Sequence, residues 1–212
     1  MTRRAVTAAP LHTLLATRWS TRAYAPDAEL SDPELLALLE AARWAPSQSN
    51  GQPARFLVGR RGDETFTALL DALRPTNQLW ASNAAALLTG VAPLRRDDGG
   101  PATHASYDLG QAVAHLSVQA TALGLHVRQM SGFFPDEIRQ RFAVPDDHEP
   151  YVVVAVGRRG DPESLTDGLR IKERAPRARR PLDETVFAHA WGRPLPVALR
   201  DPAQAPAGQA GR

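Results

Sequence analysis

The stretch APSQSNGQPARFL, residues 45–57, begins where a helix must stop and ends where a strand can start. Pro46 cannot continue a helix. Ser47, Gln48, Ser49, Asn50 and Gln52 then supply uncharged hydrogen-bonding groups around Gly51, before Phe56 and Leu57 return to apolar character. Upstream, Ser31 and Glu34 form a capping-box start ahead of Leu35, Leu38, Leu39 and Ala42 at helical spacing. Downstream, ARFLVGR (54–60) reads as a strand, DETFTALLDALR (63–74) as an amphipathic helix and NAAALLTGVA (83–92) as a buried strand.

The pattern repeats toward the C-terminus. Residues 103–123 carry the longest helical periodicity, through Leu109, Val113, Leu116, Ala120 and Leu123, with Gly124 placed as a C-cap. LHVRQ (125–129) and YVVVAVG (151–157) read as strands. Between them, FPDEIRQRFAVP has a proline suited to the first turn of a short helix. PLHTLLATR (10–18) predicts a further short helix. Helices interposed between strands predict a central sheet covered by helices, a layered α+β or mixed α/β domain.

The 212 residues include no cysteine, which excludes disulfides and thiolate catalysis and fits a reducing cytoplasm. No apolar run is long enough for a signal h-region or a membrane span, so a soluble protein without a membrane partner is expected. The net charge is only +2, but residues 157–180 gather Arg158, Arg159, Arg170, Lys172, Arg174, Arg177, Arg179 and Arg180. This segment reads as a solvated loop. It contains no aromatic residue, so it lacks the stacking platform of a nucleic-acid binder, and no nucleic-acid partner is expected. Residues 193–212, rich in Pro, Ala and Gly, read as a tail.

The common catalytic templates are absent. The histidines are scattered, and His104 and His115 have no carboxylate placed to complete a metal pair, so no metal site is expected. What remains is a series of polar clusters. RWSTR (18–22) offers Arg18, Ser20 and Arg22, which could hold an anionic group, although taken alone the cluster reads more simply as a capped helix end with exposed arginines. The turn at 45–57 is a second cluster, and Asn77 with Trp80 a third. Ser131 and Gly132 in QMSGF allow a close backbone approach to a ligand. Arg177 and Arg179 lie in PRARRPLDETV.

In this order and spacing the clusters resemble the nitroreductase family of FMN enzymes. RWSTR is similar to its R-x-S-x-R/K element and Ala45, Pro46, Ser47, Asn50, Gln52 and Pro53 to its A-P-S-x-x-N-x-Q-P turn. NQLW and the helix YDLGQAVAHLSVQATALGL match its middle, MSGF its I-x-G-F turn, YVVVAVG its closing strand, and RARRPLDETV its C-terminal signature. The resemblance spans about residues 10–192. It implies a nitroreductase-like fold, with a central, mainly antiparallel sheet flanked by helices in a domain-exchanged homodimer, and a single FMN-binding domain over residues 1–192.

The resemblance also implies roles. Arg18, Ser20 and Arg22 would engage the phosphate, ribityl and pyrimidine side of FMN, and Arg177 and Arg179 would close on the phosphate. Pro46, Ser47 and Asn50, supported by Gln52, would approach the flavin held mainly by the other subunit. Asn77 would reach the flavin, and the Ser131 and Gly132 backbone would face its N5 and O4. Trp80 occupies a position that is commonly basic in the family. No side chain is then a catalytic nucleophile: Arg22 lends electrostatic support while hydride passes from NAD(P)H through flavin N5 to a nitroaromatic, quinone or similar acceptor by a ping-pong route. Two alternatives stay open: an FMN-binding redox sensor without turnover, and a specialised dehydrogenase or dehalogenase of the family.

Overall fold

The computed structural model describes residues 3–197, and the remainder of the expected tail, 198–212, lies outside them. The chain divides into two compact units, residues 18–174 and a second made of the stretch up to Thr17 with the stretch from Ala175. In the smaller unit, α1 (Thr13–Thr17) follows an N-terminal segment whose Ala5 N–H donates to Ala16 O at 2.8 Å.

The larger unit runs α2 (Asp32–Arg43), β1 (Arg55–Arg60), α3 (Glu64–Asp71), α4 (Pro75–Ala81), β2 (Ala86–Pro93), α5 (Ala105–Ala122), β3 (His126–Met130), α6 (Pro135–Arg141), β4 (His148–Gly157) and α7 (Asp167–Arg174). Local signals set several of these boundaries. Glu34 accepts the Ser31 N–H at 3.0 Å and its hydroxyl at 2.8 Å, starting α2. Asp63 accepts the Phe66 N–H at 2.6 Å and starts α3. Pro135 opens α6. Gly124, at φ +69°, lets the chain turn out of α5 into β3.

The strands form one sheet in the order β1-β2-β4-β3, with every neighbouring pair antiparallel. β2 and the Val152–Gly157 part of β4 are almost wholly apolar because both faces are covered there. Successive residues alternate between the two layers. Leu88, Val154 and Val156 pack with α2 and α5 through Leu38, Leu109 and Leu116. Leu87, Val153 and Ala155 pack with α3, α4 and α6 through Phe66, Leu69, Trp80 and Ile138.

TNQLWASN, to which the sequence reading assigns no element, is mostly helix α4, opened by Pro75 at its first position. One element departs from the sequence reading. The basic segment 157–180 is not all loop. It contains α7, where Arg170 and Arg174 pair with Glu163 and Glu173 is buried. On α5, Ala112, Ser117 and Ala120 are buried in this chain's own core, whereas Ala114 faces out.

Candidate functional site

The edge strand β3 and helix α4 bring together residues that are far apart in sequence. Arg128 on β3 donates from Nη1 to the Ser20 carbonyl at 2.8 Å and lies over the Trp80 ring, 5.4 Å from its centroid. Trp80 in turn stacks on Tyr24 at 6.1 Å, and the Tyr24 hydroxyl donates to Ala155 O at 3.0 Å. Burial pushes the Tyr24 phenol far above its ordinary range. Trp80 is thus core, with 1% of its surface exposed, and the cation beside it comes from strand β3.

A buried carboxylate fixes the RWSTR loop. Glu173 accepts the Thr21 hydroxyl at 2.5 Å and the Arg22 backbone N–H at 2.9 Å. Arg22 is left half-buried, and burial first, then the charge of Arg22, pulls the Arg128 proton affinity down. Ser20 receives a long contact of 3.5 Å from Arg18 Nη1. Trp19 meets His126 edge-on at 6.5 Å and carries Arg159 over its ring at 5.4 Å.

Asn77 and Gly132 also meet. Asn77 Nδ2 donates to the Gly132 carbonyl at 3.0 Å, and so does the Arg74 N–H at 3.0 Å. A Cβ at position 132 would lie 2.7 Å from Asn77 Nδ2, so the approach requires glycine. Ser131 is exposed beside it.

The turn at 45–57 stands elsewhere. Gln52 N–H donates to Ser47 Oγ at 3.0 Å, Gln52 Nε2 to Asn50 O at 3.0 Å, and the Gln48 N–H to Oδ2 of the buried Asp108 on α5 at 3.0 Å. Ser49, Asn50 and Gln52 have φ of +50°, +56° and +47°. Three left-handed non-glycine residues within four positions are costly and are kept where surrounding structure imposes them. Pro46, Asn50 and Gln52 are exposed. Pro46, Ser47 and Gln52 line one cavity of about 190 Å³, and Gln48, Ser49, Arg55, His104 and Asp108 border a cleft of about 580 Å³.

This turn enters β1, whereas Ser131 and Gly132 follow β3. Antiparallel register brings both to the same end of the sheet, since Arg55 aligns through Val91 with Pro150 and Met130 aligns with Val153. The two clusters nevertheless sit at opposite edges, three strand spacings or roughly 14 Å apart. In the smaller unit, Arg177 donates to the carbonyls of Arg3 at 2.6 Å and Ala16 at 2.8 Å, and the exposed Arg179 donates to Ala178 O at 2.7 Å. The sequence reading missed Arg128, Tyr24, Glu173 and Asp108. An arginine inside the strand pattern LHVRQ was the one available signal.

Comparison with known proteins bears on the fold and the family. The family model "Nitroreductase family" matches residues 15–78 and 71–158. A 15.4 kDa protein of Mycolicibacterium smegmatis is 36% identical over 149 residues, covering 66% of this chain and 99% of the relative. A Streptomyces coelicolor protein provisionally named NADH dehydrogenase/NAD(P)H nitroreductase is 29% identical over 158 residues, covering 66% of this chain and 78% of the relative. A crystal structure described as an oxidoreductase containing FMN superposes with a TM-score of 0.84 at 33% identity, covering 90% of this chain and 97% of that one. With that family model spanning most of the sheet and its helices, this chain belongs to the nitroreductase family.

Proposed function

We propose that the protein is an FMN-dependent oxidoreductase that takes electrons from NAD(P)H and passes them to small electron-poor acceptors such as nitroaromatics or quinones. The observation that carries this reading is the arginine pair at the β3 edge. Arg128 bonds the Ser20 carbonyl at 2.8 Å, two residues before Arg22, so both cations belong to this edge, and neither forms an ion pair among the described residues. This donor set fits a flavin, which brings both phosphate charge and a polar ring edge. A flavin would supply the two-electron chemistry for which no side chain of the cluster is suited. The solved oxidoreductase containing FMN and the Streptomyces relative's name support the choice of cofactor and donor.

The chain's own residues would bind and orient. Arg18 and Ser20 would hold the phosphate side and Arg22 the pyrimidine side. Asn77 would fix the Ser131–Gly132 backbone against the ring.

Pro46, Ser47, Asn50 and Gln52 lie at the far edge of the sheet, so a site that uses both clusters takes them from two copies. The proposed protein is therefore a homodimer with flavin at the interface. The 580 Å³ cleft beside the turn has the size of a small-molecule site.

The test is the visible spectrum of purified protein before and after anaerobic NADPH or NADH, with its mass in solution by light scattering. A yellow dimer that bleaches is expected. A flavin-loaded protein that neither nicotinamide bleaches would indicate a sensor without turnover. A flavin-loaded monomer would remove the two-chain site.

A further inference from the structure

Arg128 uses little of its hydrogen-bonding capacity. Nη1 serves the Ser20 carbonyl and one face of the guanidinium covers Trp80, but Nε is buried with no hydrogen-bond partner. A half-buried guanidinium left incompletely bonded is unfavourable, and the neighbouring Arg22 adds like-charge repulsion. Glu173 offsets part of that charge, yet its two oxygens already accept from Thr21 and from the Arg22 backbone. Such a cluster is a receptor that an electron-rich group completes.

We propose that Arg128 is a further cofactor-binding residue, which pairs with Arg22 to seat the pyrimidine edge of the flavin against the Trp80 side of α4. The assignment rests on the FMN reading above. Three observations place Arg128 at the ring edge rather than the phosphate. It is anchored on Trp80, one helical turn from Asn77 on α4. It is on the strand that leads directly into Ser131 and Gly132. Its flat N–H fork, held by stacking, matches adjacent carbonyl and ring-nitrogen acceptors better than a rotating phosphate requires. Two cations at this edge favour negative charge there, and so make the bound ring easier to reduce.

The experiment measures dissociation constants for FMN and riboflavin and the midpoint potential of the flavin-loaded protein, in the wild type, R128Q and R128K. R128Q is expected to weaken both flavins about tenfold or more and to move the potential to more negative values. R128K keeps the charge and is expected to restore most of the potential while recovering affinity only in part. A loss in R128Q confined to FMN, with riboflavin affinity and potential unchanged, would move Arg128 to the phosphate and overturn the ring-edge seat. Indifference of R128Q to all three measurements would reduce Arg128 to packing on Trp80.

If R128Q does not fold, R128K decides alone, and affinity equal to wild type overturns the proposal. A wild type that binds neither flavin removes the FMN reading itself, an outcome distinct from a flavin-loaded wild type with an indifferent R128Q.

Discussion

Thr21 Oγ1 donates a 2.5 Å hydrogen bond to Oε1 of Glu173, 152 residues further along the chain, and both residues are buried. The other carboxylate oxygen takes the Arg22 N–H. One side chain thereby fixes the backbone on which Arg22 is mounted and ties α7 to the sheet edge. Glu173→Ala removes the acceptor of the Arg22 N–H and leaves the buried Thr21 hydroxyl to donate only to Ala23 O, at 3.3 Å, and is expected to cost about 2–4 kcal/mol of stability by denaturant unfolding. Glu173→Gln retains an acceptor for Thr21 and is expected to cost less than half of that. Equal losses in the two variants would show that the negative charge, and not the hydrogen bonds, holds the loop.

This contact also explains what the sequence concealed. The start of α2 was legible because Ser31 and Glu34 are three residues apart, and β2 and β4 because two covered faces make a strand apolar along its length. Helix α7 was not: its composition is that of a solvated surface, and what buries Glu173 is a partner at the opposite end of the chain. Arg128 was hidden for the same reason, since Ser20 lies 108 residues away. Trp80 was legible as a departure from a basic position, but the cation that stands over it comes from β3. The roles expected of Pro46, Ser47 and Asn50 rest on the family resemblance, since their turn leads into β1 and the other clusters gather at β3, the opposite edge of the sheet.

His126 gives the fold a pH dependence of definite sign. Burial, and then the charge of Arg159, lower its proton affinity below the ordinary value near 6.5. The folded state therefore resists protonation that the unfolded state accepts. The His126 contribution to stability is fully present above about pH 6.5 and is lost as pH falls below it toward the folded value. His126→Gln is expected to flatten the unfolding free energy between about pH 7 and pH 5. The same slope in variant and wild type would assign that dependence to other groups.

Gly59 on β1 lets α3 approach closely. A Cβ there would lie 2.2 Å from Phe66 N and 2.6 Å from Phe66 Cα, both backbone atoms at the start of the helix. Gly59→Ala must displace α3 and is expected to cost about 3 kcal/mol or more. Gly168 in α7 is the contrasting case, with nothing within 4 Å of an added Cβ. Gly168→Ala is expected to gain about 0.5–1 kcal/mol through helix propensity. Denaturant unfolding of the two variants separates a packing glycine from a merely permissive one, and a neutral Gly59→Ala would show that α3 can shift without loss.

Asp108 holds the turn that follows Pro46. Its Oδ2 accepts the Gln48 N–H at 3.0 Å from within a buried setting, just before Ser49, Asn50 and Gln52 turn left-handed. Each of those conformations costs on the order of 1 kcal/mol, so the turn relaxes if its anchors are removed. Ser47 Oγ and Asn50 O bond within the turn and move with it, whereas Asp108 belongs to α5 and ties the turn to the core. Asp108→Ala is expected to lose about 1–3 kcal/mol and to speed amide exchange across residues 48–52 by about tenfold, with Asp108→Asn recovering most of both. Exchange rates in Asp108→Ala equal to those of the wild type would mean that the turn's own hydrogen bonds suffice to hold its left-handed residues.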